Sequence, residues 1–195
     1  MSLKIYNSLS QQLEDFVPIK KDHVTMYSCG PTVYDYFHIG NARTFLVSDI
    51  IRRYLEYKGY RVRLVQNLTD IDDKIIHRAN EQGVDAAQLA QQYIDGYFAD
   101  SEELGIRPAD VHPCATDHIT EIIDLIRNLI QKGYAYESEG DIYYRVTRFE
   151  GYGKLSNRNL EDLLAGARVE INHRKEDPRD FDLWKAVKPD EPWWD

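Results

Sequence analysis

The stretch that most limits the possible folds runs from His23 to Gln66. His23 to Cys29 (HVTMYSC) is short, rich in β-branched and aromatic residues, and followed at once by Gly30-Pro31, a pair that neither a strand nor a helix tolerates in its interior. From Ala42 to Lys58 the apolar residues Phe45, Val47, Ile50, Ile51, Tyr54 and Leu55 recur near helical spacing. Arg52, Arg53 and Glu56 fall on the other side, and Gly59 terminates the run. Arg61 to Gln66 (RVRLVQ) alternates charged with apolar residues and reads as a second strand. Strand, helix and strand within about forty residues form a βαβ unit, whose right-handed crossover makes the strands parallel neighbours. Ligands of such sheets sit at the carboxyl ends of the strands, which directs attention to the loops after Cys29 and after Gln66.

Downstream, Lys74 to Gln82 and Asp85 to Leu104 are expected helices. His118 to Lys132 is the strongest helix, with Ile119, Ile122, Ile123, Ile126, Leu129 and Ile130 on one face. Tyr134 to Ser138 and Asp141 to Val146 flank Glu139-Gly140 and predict an antiparallel hairpin, including the Tyr143-Tyr144 pair. This change of texture places a domain boundary near Pro113, giving residues 1–113 and 114–195. After Leu164 the chain turns polar and turn-rich.

Composition narrows the function classes. The 195 residues, 43% hydrophobic, suffice for one good core or two small ones. No signal-peptide plan and no membrane-length apolar run occurs, so a cytoplasmic protein without membrane contact is expected. Two cysteines without an export signal argue for reduced thiols. Against 24 Lys+Arg stand 33 Asp+Glu, a formal charge of −9, the opposite of a stand-alone binder of phosphate backbones.

The first loop reads CGPTVYDYFHIGNART from Cys29 to Thr44. A tight turn followed by His-Ile-Gly-Asn opening a helix suits an anion, because the helix start offers N–H groups and a favourable dipole. Gly40 would let a ligand approach the backbone, and His38 and Asn41 can hydrogen-bond phosphate oxygens. The same residues also suit a plain helix-capping turn. The second loop, Asn67 to Lys74 (NLTDIDDK), holds three aspartates beside a threonine. Thr69, Asp70 or Asp72 can cap the next helix, and a magnesium site is the alternative. His112, Cys114 and His118 are interrupted by Pro113 and are not read as a metal site, and Trp193 and Trp194 are read as packing residues.

Taken whole, the first loop resembles the signature C-G-x-T-V-Y-D-x-x-H-I-G-x-x-R-T of class I aminoacyl-tRNA synthetases in their cysteine-specific branch. Cys29, Gly30, Thr32, Val33, Tyr34, Asp35, His38, Ile39, Gly40, Arg43 and Thr44 occupy the fixed positions, and Asn41 stands where the class often has a second histidine. The likeness extends through Thr69-Asp70-Ile71-Asp72-Asp73-Lys74, Gly133-Tyr134-Ala135-Tyr136, Gly166-Ala167-Arg168-Val169 and Asp180-Phe181. The resemblance implies an α/β fold: the first half of a Rossmann-type parallel-sheet nucleotide-binding domain, followed by a mixed α+β connective insertion. It implies a ligase that activates cysteine with ATP and magnesium and transfers it to tRNA in translation, acting as a monomer. His38 and Asn41 would be catalytic, stabilising charge on the α-phosphate. Thr32, His38, Gly40 and Asn41 would bind ATP, and Gly30 and Thr69 the substrate cysteine. Cys29 would be one thiolate ligand of a zinc ion that reads the substrate thiol, separating cysteine from serine as a hydrophobic pocket cannot.

Two strings of this family do not occur here, the lysine-rich K-M-S-K-S and the W-H-I-E-C segment with further zinc ligands expected beyond Asp195. The chain is therefore expected to be an amino-terminal fragment, inactive alone. The rival readings are a ligase joining cysteine to an amino sugar in mycothiol synthesis, and a non-catalytic synthetase-like binding module.

Overall fold

The computed structural model describes residues 3–157, 173–189 and 191–194. In chain order the strands are β1 (Lys4–Asn7), β2 (Gln12–Asp15), β3 (His23–Ser28), β4 (Arg61–Gln66), β5 (Ala135–Ser138), β6 (Asp141–Tyr144) and β7 (Phe181–Trp184). The α-helices are α1 (Ile39–Tyr57), α2 (Asp73–Gln82), α3 (Ala86–Glu103) and α4 (Ile119–Gln131). They form two units, one of residues 18–119 and one of residues 1–17 with 120–193.

In the first unit β3 and β4 pair in parallel, His23 opposite Arg61 and Ser28 opposite Gln66. A third stretch extends this sheet. Val65 and Leu68 bridge Val111 and Cys114 in parallel, with the Gln66 N–H donating to the Val111 carbonyl at 3.0 Å and the Leu68 N–H to the Pro113 carbonyl at 2.9 Å. Periodicity did not reveal it, because the run is short and contains a proline.

Helix α1 buries only part of its hydrophobic pattern. It buries Ala42, Phe45, Asp49, Arg52 and Leu55, while Val47, Ile50, Ile51 and Tyr54 are 41–54% exposed. Asp49 and Arg52 turn inward because they have partners there. Arg52 donates to the Pro108 carbonyl at 2.7 Å and to Asp110 at 2.9 Å, and Asp110 in turn accepts the Leu64 N–H at 2.7 Å. Asp49 accepts from Arg53 at 2.8 Å and from the Arg107 N–H at 3.3 Å. A buried guanidinium satisfied on several sides holds residues 105–110 in place to start the third parallel stretch.

Asp72 caps α2 through the Lys74 N–H at 2.9 Å, and Asp85 caps α3. Their inner faces, with Phe45 of α1, form a core of Ile75, Ala79, Leu89, Ala90, Tyr93, Tyr97 and Ile106. Val33, from the loop after β3, is sunk into this core at 1% exposure. One loop residue is thus as deeply packed as any strand residue.

In the second unit, β1 and β2 form a hairpin that the sequence pattern did not suggest. Strands β5 and β6 form the expected hairpin, turning through Glu139 and Gly140 at φ 51° and 86°. β7 adds to β6, joined through Asp180, which accepts the Tyr136 hydroxyl at 2.7 Å and the Val146 N–H at 2.9 Å. Helix α4 buries Ile126 from its apolar row. Trp193 is 63% exposed, contrary to its reading as a packing residue. Gly166-Ala167-Arg168-Val169 lie outside the described residues.

Candidate active site

The loops at the carboxyl ends of β3 and β4 run on side by side beyond the strands. The Thr69 N–H donates to the Pro31 carbonyl at 3.0 Å and the Val33 N–H to the Thr69 carbonyl at 3.1 Å, so Thr32 and Thr69 pair in parallel. Gly30 makes the approach possible: a Cβ there would lie 1.7 Å from the Asn67 carbonyl oxygen. No side chain fits against that backbone.

The first loop is then pinned to α2 and α3. Asp35 accepts from Arg78 at 3.1 Å; Lys74 sits 5.3 Å over the Tyr34 ring; Tyr36 meets Tyr93 edge-on at 5.2 Å. Phe37 packs edge-on against Phe45 and Tyr97 at 5.4 and 5.9 Å. A hydrogen bond that Arg78 donates to the Tyr93 hydroxyl, and the charge of Asp35, raise the Arg78 guanidinium above its ordinary range. The loop is thereby preorganised from Tyr34 to Phe37.

Its end is His38, the N-cap of α1. The Gly40 N–H donates to His38 Nδ1 at 2.9 Å, and the His38 N–H donates to Asn41 Oδ1 at 3.4 Å, a reciprocal capping box. An acceptor at Nδ1 fixes the neutral tautomer with its proton on Nε2, an outward donor, and Asn41 likewise keeps its amide N–H groups free of the cap. Gly40 serves the histidine itself, since a Cβ there would lie 2.6 Å from the ring. The cap consumes N–H groups that the sequence argument offered to phosphate: Gly40 gives its proton to the ring, and Asn41 and Ala42 give theirs to the His38 carbonyl. Side-chain donors remain for an anion, and His38, Gly40 and Asn41 are all exposed.

In the second loop two of the three aspartates have structural partners. Asp70 binds the N–H of Thr116 at 3.1 Å and also its hydroxyl, and Asp72 is the cap of α2. Asn67, given no role by the sequence, links the loops: its Oδ1 accepts the Gly30 N–H at 3.0 Å and the Tyr27 hydroxyl at 2.9 Å, while its Nδ2 donates to Thr69 Oγ1 at 3.0 Å. No sequence signal marks an asparagine for this task beyond its place at the strand end.

Cys29 follows β3 directly and is exposed. Among the described residues no group of three or more His, Cys, Asp or Glu side chains is placed to hold a metal ion. The described residues therefore do not by themselves fit a zinc site, and Cys29 is a single candidate ligand among them. His112 accepts the Ala109 N–H at 3.0 Å and packs edge-on against Phe98, with burial lowering its imidazole. Burial, Asp70 and Asp117 push the Cys114 thiol up, away from the thiolate form that binds metals.

This architecture recurs in solved synthetases. LeuRS of Agrobacterium radiobacter K84, in a ternary complex with tRNA and LeuAMS, superposes with a TM-score of 0.52 at 20% identity over 68% of this chain and 17% of its own. Methionyl-tRNA synthetase of Mycobacterium tuberculosis, bound to methionyl-adenylate, gives 0.53 at 25% identity over 64% of this chain and 24% of its own. Fold and loops define the Rossmann-type catalytic domain of a class I synthetase. Residues 15–195 match the family described as tRNA synthetases class I (C) catalytic domain, and the chain belongs to that family. Among its relatives, the Cysteine--tRNA ligase of Exiguobacterium sp. is 56% identical over 99% of this chain and 42% of its own length. That of Symbiobacterium thermophilum is 58% identical over 100% of this chain and likewise 42% of its own length. The chain thus spans about two fifths of the curated relatives it matches.

Proposed function

We infer that this chain forms the part of a cysteine–tRNA ligase that receives cysteine and magnesium-bound ATP. The observation that carries the reading is the pairing of Thr32 with Thr69, which lays the loop bearing Cys29 and His38 beside the loop bearing Thr69 at the carboxyl edge of a parallel sheet. The nucleotide lies over Thr32, His38, Gly40 and Asn41, and the amino acid beside Gly30 and Thr69. A cysteine carboxylate oxygen attacks the α-phosphorus, and pyrophosphate leaves. Donors on His38 Nε2 and Asn41 Nδ2 meet the charge growing on the phosphate oxygens, held ready by the cap so that no reorganisation is needed. A hydroxyl of tRNA then attacks the carbonyl carbon of the adenylate, forming the ester and releasing AMP. No side chain acts as nucleophile.

Cys29 is one candidate ligand for a selective zinc, and no step is routed through that metal. Residues 114–195 correspond to the connective insertion, and the working ligase is a cytoplasmic monomer. The chain alone does not complete the reaction, because the lysine-rich phosphate-binding string K-M-S-K-S does not occur in it.

Amide NMR of residues 1–195, titrated with the non-hydrolysable 5′-O-(cysteinylsulfamoyl)adenosine, tests the site. Shifts are expected at Thr32, Gly40, Asn41 and Thr69. A folded chain whose shifts cluster elsewhere, or do not occur, overturns the reading. Cysteine-dependent ATP–pyrophosphate exchange at the rate of the longer relatives would refute the inactivity of these residues alone.

A further inference from the structure

We propose that Asn67 is a positioning residue that sets the direction of the Thr69 hydroxyl, making it a hydrogen-bond donor to the bound amino acid. The proposal rests on the reading of the site given above and adds a residue to it.

The orientation of the Asn67 amide is dictated by its neighbours. A backbone N–H can only donate, so the atom facing the Gly30 N–H at 3.0 Å is the carbonyl oxygen, and the same oxygen also accepts the Tyr27 hydroxyl. The amide nitrogen is thereby turned to Thr69 Oγ1 at 3.0 Å and must donate to it. Thr69 Oγ1, once used as an acceptor, keeps its proton for another partner. Among the described residues the Thr69 hydroxyl has no hydrogen bond besides the one from Asn67, and the Thr69 backbone is occupied with Pro31 and Val33. The hydroxyl is held as a half-satisfied donor in a partly buried position beside the exposed Cys29 loop, where an acceptor such as a substrate carboxylate completes it.

The three bonds also explain why one residue governs both loops. Tyr27 and Gly30 bracket Cys29 in sequence, and both are held by the oxygen that fixes the amide. Rotating the amide would break the Gly30 bond, and Gly30 lies directly against the Asn67 backbone, with no room there for a Cβ. The polarity of the Thr69 hydroxyl is therefore determined by backbone packing through a single side chain.

The variant Asn67→Asp separates positioning from folding. A carboxylate still accepts from Gly30 and Tyr27, but it cannot donate; it draws the Thr69 proton to itself and removes the donor offered to the ligand. Binding of the cysteinyl sulfamoyl-adenosine analogue to residues 1–195 should weaken about fivefold to tenfold in Asn67→Asp and equally in Thr69→Val. The double variant should lose no more than either single one, with melting temperatures near the parent's. A neutral Asn67→Asp, or losses that add in the double variant, would overturn the proposal. The unliganded chain supplies a second readout: the Asn67 side-chain amide protons should move upfield in Thr69→Val. If the parent does not bind the analogue, the reading of the site fails, and the orientation of the pair is decided by this amide resonance, whose constancy in Thr69→Val would refute it.

Discussion

His38 divides its work between two ring nitrogens. Nδ1 caps α1 and Nε2 faces outward, so the local order of the helix start fixes the tautomer that a phosphate would meet. Gly40 is the residue that permits this, because any Cβ there meets the ring. In Gly40→Ala two effects oppose each other: losing the cap costs about 1 kcal/mol, and alanine in place of glycine in a helix returns about 1 kcal/mol. The melting temperature should change little. The diagnostic change is in the ring, whose nitrogen-15 resonances should move from a single tautomer towards a mixture, and affinity for the cysteinyl sulfamoyl-adenosine analogue should fall about tenfold. Unaltered His38 resonances would show that the ring does not depend on Gly40. At this scale the helix cap made by His38 and Asn41 was legible in the first loop. Asn67 was not, since nothing local distinguishes an asparagine that hydrogen-bonds a residue 37 positions away from one that faces water.

Elements obey their sequence patterns where the pattern and the partners agree. β3, β4 and the β5–β6 hairpin do so, whereas α1 does so only in part. A helical pattern records which side is apolar; it does not record that Asp110 and the Pro108 carbonyl wait under the charged side for Arg52. In the three-stranded sheet a similar polar knot joins β7 to the hairpin, through Tyr136, Asp180 and the Glu176 N–H. Burial, reinforced by Asp180 and opposed by the Glu176 N–H, pushes the Tyr136 phenol from 10.0 up to about 12. The folded pKa exceeds the unfolded one, so this contribution to stability is complete below about pH 10 and disappears as the pH rises through about 12. Melting temperatures taken across that range should fall for the parent chain. In Tyr136→Phe the baseline should be lower by about 1–2 kcal/mol from the lost hydrogen bonds, with a flatter alkaline limb. An equally steep limb in the variant would assign the alkaline loss to other groups.

At the scale of the molecule, one exposed apolar surface among the described residues is the outer side of α1, where Leu46, Val47, Ile50, Ile51 and Tyr54 are each at least 41% exposed. Contiguous apolar area of this kind on a folded chain binds hydrophobic dyes. Anilinonaphthalene sulfonate should fluoresce with native residues 1–195, and the pair Ile50→Lys and Tyr54→Lys should lower that emission by about half, with stability within about 0.5 kcal/mol of the parent. Undiminished emission would place the dye elsewhere. What the sequence by itself determined was local: the order of strand, helix and strand, the two loops at one edge of a parallel sheet, and the residues of the family signature, all of which follow from backbone preference and from side-chain types within a few positions. Only the tertiary structure decided which face of α1 is buried, that residues 110–115 complete the sheet, and that Asn67 ties Gly30 to Thr69. Those outcomes depend on hydrogen-bond partners and backbone approaches between residues far apart in the chain, and such partners leave no period in the sequence.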